Sequence, residues 1–525
     1  VIVDSIQLQP LNLNYTPESH REGLATYFRE FLRAHMKTWI NDENNRKPDG
    51  SKYNLNTDGL KIYTTINYSM QEMAENAVLT HMPRLQKEFF EQNETLDDSI
   101  APFRELTSGA VDTLLRMSMR RSERWRKMKY DLKKDNEEIE ESFFIPKEMT
   151  VFSWEGEIDT IMTPLDSMKY YKSFFRPGMM SMDPTNGYIK AWVGGMNYRH
   201  FQYDMVKKGK RQIGSTFKPF VYAAAIDQLK LSPCDTFPDS QFCIEKNKFG
   251  NVEQWCPKNS GDKYGRTRTL KNALANSVNT VTARLMDRIG PRTVVKLAKD
   301  LGIEQRILPV PSIALGTPDL SVYEMVAAYS TFANKGVYTQ PVFIERIEDK
   351  NGTTLFENKP VTRDVLSEEA AYVTVNLLEG VTKAGSGTRL RTTGADEFNR
   401  AYQNVVTGYP YEFTNPIAGK TGTTQNQSDG WFIGMVPNLV TGVWVGAEDR
   451  AIHFEDIAYG QGASMALPIW GVYMKSVYQD STLLISKDSF ERPKRLSIEL
   501  DCNKFVIDSI GSGRTTDQEI LDIDF

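Results

Sequence analysis

The sequence of 525 residues contains no run of about 18 apolar residues, so no segment is predicted to cross a membrane as a helix. It also lacks an excess of positive charge, since 63 Lys and Arg stand against 68 Asp and Glu. The resulting net charge of -5 gives no reason to expect nucleic acid as a partner. The 5 histidines are scattered, without the His-Glu-x-x-His spacing of a zinc peptidase. We therefore expect neither a metal nor a cofactor.

Cysteine is scarce as well, with 4 residues: Cys234, Cys243, Cys256 and Cys502. A Gly-Asn pair lies near the middle of the segment between Cys243 and Cys256, which predicts a hairpin with the two thiols facing each other. The alternative is two unpaired thiols. A disulfide here would favour an oxidising compartment.

A chain of this length exceeds one ordinary core, and its pattern divides into four regions. These are a linker module over 1–75, a charged helical insert over 76–164, a catalytic domain over 165–480 and a C-terminal appendage or tail over 481–525.

The linker module is predicted to hold an amphipathic helix over 18–33 with Ser19 as its cap, and a strand over 60–66. In the insert, a basic stretch at 120–129 precedes an acidic one at 135–141. The two stretches predict a solvated helical pair with complementary faces, or else an arm that binds a protein partner.

The catalytic domain begins with a predicted hairpin over 178–193 and ends with another over 431–445. Helical patterns fill 215–335, and strands resume at 417–446. Strands at both ends of a domain with helices between them predict an α+β fold. We expect an antiparallel sheet flanked by helices, with a mainly helical subdomain.

Ser215 and Lys218 carry the first candidate chemistry. Pro219 is tolerated only in the first turn of a helix, so the helix begins close to Ser215 and both side chains lie on one face. Desolvation beside a serine lowers the pKa of a lysine, so that its amine can be neutral and can take the hydroxyl proton. A simple helix-capping role for Ser215 is the alternative.

The same Ser-x-x-Lys spacing recurs at Ser260 and Lys263, in a polar loop rich in turn residues. No helix is predicted there to align the pair. Both copies fit the spacing, but only the copy at Ser215 lies at the start of a predicted helix. We therefore predict Ser215 as the nucleophile.

A second segment, Ser277-Val-Asn279, lies between two predicted helices. From a short loop, the Ser277 hydroxyl can relay a proton and the Asn279 amide can hold a substrate carbonyl. The alternative is that Ser277 or Asn276 only caps the following helix.

The third segment, Lys420-Thr-Gly-Thr423, reads as a strand. It is not a phosphate-binding loop, which would need a glycine where Thr414 stands and a helix after the lysine. Alternation lets Thr421 and Thr423 share a face, where two hydroxyls beside a cation can bind a carboxylate. Gly422 permits close approach of substrate. A threonine-rich sheet edge without function is the alternative.

Ser-x-x-Lys, Ser-x-Asn and Lys-Thr-Gly, in this order, resemble the motifs of penicillin-binding proteins and class A β-lactamases. The chain is similar to the class A penicillin-binding proteins also over 59–66, over 182–195 and over 419–432. The resemblance is weak over 75–165 and in the tail. It implies the transpeptidase fold shared by penicillin-binding proteins and serine β-lactamases.

The resemblance also implies roles. Ser215 would attack the bond between two terminal D-alanines of a peptidoglycan stem peptide, with Lys218 as the base and an amine of a neighbouring strand completing the cross-link. The other roles implied are a proton shuttle by Ser277 and Lys420, substrate binding by Asn279, Thr421, Gly422 and Thr423, and an oxyanion hole from the backbone amides of Ser215 and Thr423. β-Lactams would acylate Ser215.

Class A members carry a glycosyltransferase domain before the linker. We accordingly expect no glycosyltransferase activity in this chain, a native position at the periplasmic face of the inner membrane with an N-terminal anchor outside the chain, and cell-wall or division proteins as partners of the insert. The rival functions are a D,D-carboxypeptidase or β-lactamase, and a non-enzymatic β-lactam sensor or scaffold.

Overall fold

The computed structural model describes residues 21–391 and 405–505. The α-helices in these residues are α1 (Thr26–Asn41), α2 (Tyr68–Asn93), α3 (Ser108–Arg121), α4 (Glu123–Arg126), α5 (Asn136–Glu141), α6 (Pro164–Lys172), α7 (Lys218–Leu229), α8 (Leu270–Ala275), α9 (Asn279–Ile289), α10 (Pro291–Asp300), α11 (Val322–Ala333), α12 (Glu368–Ala384), α13 (Ile457–Gly460), α14 (Gly462–Met465) and α15 (Leu467–Gln479).

The strands are β1 (Lys61–Thr64), β2 (Lys147–Ser153), β3 (Gly156–Met162), β4 (Arg176–Met182), β5 (Ile189–Val193), β6 (Arg211–Gln212), β7 (Thr236–Pro238), β8 (Thr267–Thr269), β9 (Asp319–Leu320), β10 (Val337–Thr339), β11 (Ile344–Glu348), β12 (Thr354–Glu357), β13 (Thr362–Asp364), β14 (Ala418–Thr423), β15 (Asp429–Val436) and β16 (Leu439–Gly446). None of the helices in the described part of the chain is long and apolar enough to cross a membrane.

A five-stranded antiparallel sheet forms the centre, in the order β14-β15-β16-β4-β5. Both predicted hairpins are present in it, and β16 pairs with β4 to join the two ends of the domain. Every residue of β15 and β16 is buried, because helices cover both faces. Neighbouring residues therefore enter different cores: Phe432 packs on the side of α2 and α15, and Ile433 on the side of α7 and α11. The predicted α+β architecture is confirmed.

The linker begins differently from the prediction. Helix α1 starts at Thr26, because Gly23 and Ala25 both adopt positive φ, at 85° and 57°, which no helix continues through. The predicted cap Ser19 lies outside the described residues. The predicted linker strand is present as β1, and it pairs with β11 of the catalytic region.

The pattern predicted a helical insert, but the insert is not helical throughout. Helix α2 packs against β5 and α15, so it forms part of the body around the sheet. Strands β2 and β3 form a hairpin over 147–162, which the sequence analysis missed because its apolar residues do not keep to one face. The basic and acidic stretches do meet, in a hydrogen bond from Lys129 Nζ to Asn136 Oδ1 at 2.8 Å.

Two disulfides are present. Cys243 is joined to Cys256, next to an antiparallel bridge between Ile244 and Trp255. Cys234 is joined to Cys502, a pair 268 residues apart that no local pattern could indicate. The second disulfide fastens the segment after α15 to the loop that follows α7.

Candidate active site

Ser215 lies in a single 3-10 turn, Gly214–Phe217, that leads directly into α7 at Lys218. Pro219 occupies the first turn of α7, as predicted. The backbone N–H of Lys218 donates to the carbonyl of Ser215, which keeps the two residues on one turn. Ser215 is half-buried, so water and small molecules can reach it, whereas Lys218 is fully buried and its amine is shielded from water.

Close backbone packing holds the nucleophile turn in place. Gly214 has a φ of 52°, and a Cβ there would lie 2.7 Å from the carbonyl oxygen of Thr423. Gly316 has a φ of 76°, and a Cβ there would lie 1.7 Å from the carbonyl oxygen of Gly214. Two glycines thus let β14 and the loop before β9 approach Ser215 on both sides.

Gly316→Ala is expected to lower the free energy of unfolding and the acylation rate of Ser215 together, because the added methyl group must displace the Gly214 carbonyl. The matched control is Gly352→Ala, where φ is 88° but nothing lies within 4 Å of the added Cβ. Backbone strain alone costs about 1 kcal/mol. Thermal unfolding and stopped-flow acylation should therefore separate the variants, and equal acylation rates in both would contradict a positioning role for Gly316.

Lys218 points into the second segment. Its Nζ donates to Oδ1 of Asn279 at 2.6 Å and to the carbonyl of Ser277, and it lies 3.1 Å from Oγ of Ser277. Ser277 has a φ of 55°, an uncommon conformation for a side-chain-bearing residue, which bends the loop between α8 and α9 toward the amine. The helix cap is Val278, without a side-chain hydrogen bond, so the capping alternative for Ser277 and Asn276 is wrong.

Lys420 reaches the same hydroxyl from the sheet. Its Nζ donates to Oγ of Ser277 at 3.1 Å and to the carbonyl of Thr421 at 3.0 Å. The Ser277 hydroxyl therefore lies within hydrogen-bond distance of both amines, and as a hydroxyl it can accept from one and donate to the other. The three motifs, far apart in sequence, meet at this one oxygen.

Burial sets the protonation of both amines. Burial, and then the positive charge of Lys420, hold the pKa of Lys218 well below its usual value. Burial lowers the pKa of Lys420 to about 7. Two ammonium groups sharing one hydroxyl in a dry site would repel each other, so the arrangement favours a neutral Lys218 beside a charged Lys420. A neutral amine can accept a serine proton, and Lys218 lies on the same turn as Ser215.

The threonines of the third segment lie at the rim of the cleft. The Thr421 hydroxyl is within hydrogen-bond distance of the Ser386 hydroxyl, and Thr423 Oγ1 accepts from the Gly462 amide at 3.1 Å. A Cβ on Gly422 would lie 2.8 Å from the Ile213 carbonyl oxygen, so glycine lets β14 pack against the nucleophile turn. Ser386 was not predicted, because a serine between two glycines after a helix carries no signal of its own.

The second Ser-x-x-Lys copy forms no such pair. Ser260 and Lys263 are both exposed, and Gly261 and Asp262 between them adopt positive φ, at 67° and 55°. Ser260 begins a 3-10 turn, Ser260–Asp262, but the backbone of Lys263 is extended, so this turn does not lead into an α-helix that would align the pair. In the described part of the chain, no three His, Cys, Asp or Glu side chains are grouped to hold a metal ion.

A family model described as the penicillin-binding protein transpeptidase domain matches residues 178–449, more than half of the chain. The chain belongs to this penicillin-binding protein family. A second model, described as the penicillin-binding protein middle domain, matches residues 98–175. In this penicillin-binding protein, the second match covers most of the predicted insert.

Curated relatives agree with the family. This penicillin-binding protein is similar to penicillin-binding protein 1A of Aquifex aeolicus, at 35% identity over 317 residues, which are 60% of this chain and 39% of the relative. It is similar to penicillin-binding protein 2D of Bacillus subtilis, at 32% identity over 318 residues, which are 60% of this chain and 42% of the relative. The chain thus spans about two fifths of the length of these relatives.

Solved structures show the same fold. Penicillin-binding protein 1A of Haemophilus influenzae aligns over 94% of this chain and 74% of that one, with a TM-score of 0.62 and 22% identity. PonA1 of Mycobacterium tuberculosis aligns over 91% of this chain and 95% of that one, with a TM-score of 0.58 and 20% identity. PonA1 has also been solved in complex with penicillin V, and that structure aligns with a TM-score of 0.55 and 19% identity, over 91% of this chain and 97% of that one. The expected penicillin-binding protein fold is confirmed.

Proposed function

We propose that this penicillin-binding protein is a D,D-transpeptidase that cross-links peptidoglycan stem peptides and is acylated by β-lactams at Ser215. The observation that carries the proposal is the convergence of Lys218 and Lys420 on the Ser277 hydroxyl, next to the turn that holds Ser215. The proposed base and proton relay thereby meet at one hydroxyl, and the proposed nucleophile lies on the same turn as the base.

In the acylation step, Ser215 Oγ forms an ester with the carbonyl carbon of the penultimate D-alanine. Its proton passes to neutral Lys218, and the peptide C–N bond breaks. The leaving nitrogen of the last D-alanine receives a proton through Ser277, which Lys420 can supply. An amine of a neighbouring stem peptide then attacks the ester carbonyl, so that an amide C–N bond forms and the ester C–O bond breaks. Ser215 recovers its proton from Lys218, and the proton lost by the amine returns through Ser277 to Lys420.

The binding roles follow from the rim of the cleft. Thr421 and Thr423 would bind the terminal carboxylate beside the charge of Lys420, and Gly422 keeps the strand close to the substrate. Asn279 would hold the substrate amide. The backbone amides of Ser215 and Thr423 would stabilise the oxyanion, an effect of roughly 2.7–4 kcal/mol for one donor. The packing of Gly214 against Thr423 supports their proximity.

Localisation and partners complete the proposal. Peptidoglycan substrates place the active domain at the periplasmic face of the inner membrane, and the two disulfides suit an oxidising compartment. Cell-wall or division proteins would contact the insert, which exposes Tyr130 and Leu132 directly after its basic stretch, 73% and 63% accessible.

The proposal is tested by intact-protein and peptide mass spectrometry after incubation with benzylpenicillin. One stoichiometric adduct on Ser215 is expected, absent in Ser215→Ala and retained in Ser260→Ala, which removes the serine of the second copy. Steady turnover of a chromogenic cephalosporin would instead identify a hydrolase. Acylation without any cross-linking of lipid-derived glycan strands would identify a sensor.

A further inference from the structure

Helix α9 begins at Asn279, yet its own sequence does not cap it. The cap residue Val278 has no polar side chain, so the first backbone amides of the helix need an acceptor from elsewhere. Asn259 supplies it: its Oδ1 accepts from the amide of Asn279 at 3.0 Å and from that of Thr280 at 3.2 Å. The helix that presents Asn279 is thus capped by a residue of another loop.

The same loop orients the side chain of Asn279. The carbonyl of Lys258 accepts from Asn279 Nδ2 at 2.6 Å. With its nitrogen bound there, the side-chain amide of Asn279 must point its oxygen the other way, where it accepts from Lys218 Nζ at 2.6 Å. Two consecutive residues of the loop therefore fix both the backbone and the side chain of Asn279.

Asn259 is itself rigidly held. Its Nδ2 donates to Asp239 Oδ1 at 2.7 Å and to the Lys263 carbonyl at 3.0 Å. The Asp239 carboxylate is buried, and it also accepts from Thr280 Oγ1 at 2.8 Å and from Arg268 Nε at 2.6 Å. Burial acts to raise the pKa of Asp239, but the hydrogen bonds, that of Arg268 foremost, outweigh it and hold the pKa below its usual value. The anchor is therefore a charged acceptor at neutral pH.

We propose that Asn259 is a positioning residue for acyl transfer, which acts through Asn279 to hold the Lys218 amine against Ser215 and Ser277. The inference rests on the proposed function. Asn259 touches none of the reacting atoms, and it is connected to them by a chain of hydrogen bonds between 2.6 and 3.0 Å long. An amine displaced by about 1 Å can cost 10²-fold in rate, so loss of this support should slow chemistry more than binding.

The test is stopped-flow acylation by a chromogenic cephalosporin, which yields the dissociation constant of the encounter complex and the rate constant of acylation separately. In Asn259→Ala we expect the rate constant to fall by about 10–100-fold, with the dissociation constant changed less than about 3-fold. The adduct amplitude counts the folded, active fraction, so a loss of stability lowers the amplitude and leaves the rate constant unchanged.

Two further variants decide between positioning and stability. Ser367→Ala removes the side-chain cap of α12 and a hydrogen bond to Asp227 in the last turn of α7, and it should lower the melting temperature without changing the acylation rate constant. The exchange Asp239→Asn with Asn259→Asp restores a donor and an acceptor to the same pair, and it should recover most of the lost rate.

A wild-type rate constant in Asn259→Ala would overturn the inference, and so would a slow exchange variant that retains full amplitude. Absence of any Ser215 adduct in the wild type is a different result: it would overturn the proposed function and this inference with it.

Discussion

Lys218→Met is expected to slow acylation of Ser215 by about 10²–10⁴-fold at pH 7, the usual contribution of a general base. Methionine preserves the length and the apolar stem of the buried side chain but cannot accept a proton. The apolar replacement needs no hydrogen bonds of its own, but Asn279 Oδ1 and the Ser277 carbonyl lose their donor, so the adduct amplitude is used to count the folded fraction. Quenched-flow acylation with benzylpenicillin, in which mass spectrometry counts the adduct at each time point, measures the change.

Lys263→Met is the matched control, since it removes the lysine of the second Ser-x-x-Lys copy, whose side chain is exposed. We expect it to acylate at the wild-type rate. If Lys218→Met acylated as fast as this control, the base would have to be another group, and Lys420 would be the next residue to examine.

Lys420→Met is expected to change the pH profile of acylation as well as its rate. Its positive charge lowers the pKa of Lys218, so its removal raises that pKa, and the limb of the profile that rises with Lys218 deprotonation moves to higher pH. The wild-type rate should fall again as Lys420 loses its proton near pH 7, and this second limb should disappear in the variant. Loss of the proton donor should also lower the maximal rate by about 10²-fold.

The control is Lys271→Met, which removes another lysine whose pKa is lowered by burial, on α8 and outside the site. Its pH profile should match that of the wild type. If both limbs of the pH profile of Lys420→Met lay at their wild-type pH values, Lys420 would neither take part in the proton relay nor lower the pKa of Lys218.

The two predictions depend on different parts of the folded molecule. The position of Lys218 follows from one helical turn, whereas Lys420 meets Ser277 only because the sheet packs against the helical subdomain. Fold and catalysis are linked at this contact, since the strand that completes the central sheet also delivers the second amine. A substitution that loosens β14 should therefore affect both stability and acylation.

Much of the fold could be predicted, because its signals are local. Each hairpin of the central sheet has its turn residues between two short apolar runs, so both hairpins could be read directly. Pro219 marked the start of α7 for the same reason. The hairpin over 147–162 could not be predicted, because its apolar residues do not keep to one face: Ile158 and Ile161 are exposed. The start of α1 could not be predicted either, because no sequence pattern indicates the left-handed conformation of Ala25.

The site was partly predictable in the same sense. Ser215, Lys218, Ser277, Asn279 and Lys420 stand in ordered motifs, and the structure brings them together. Ser386, Asn259 and Asp239 stand in no such motif, because each makes its hydrogen bonds to a partner distant in sequence. The pairing of Cys234 with Cys502 belongs to the same group.

By itself, the sequence determined which groups are present and which of them share a turn: a serine and a lysine on the first turns of a helix, and a lysine on a strand. Only the tertiary structure decided what those groups can do. Removal of both amines from water lowers their pKa values and so favours their neutral forms, because burial penalises the charged form and two neighbouring cations repel. Chemistry that depends on desolvation and on distances between remote segments exists only after the chain has folded.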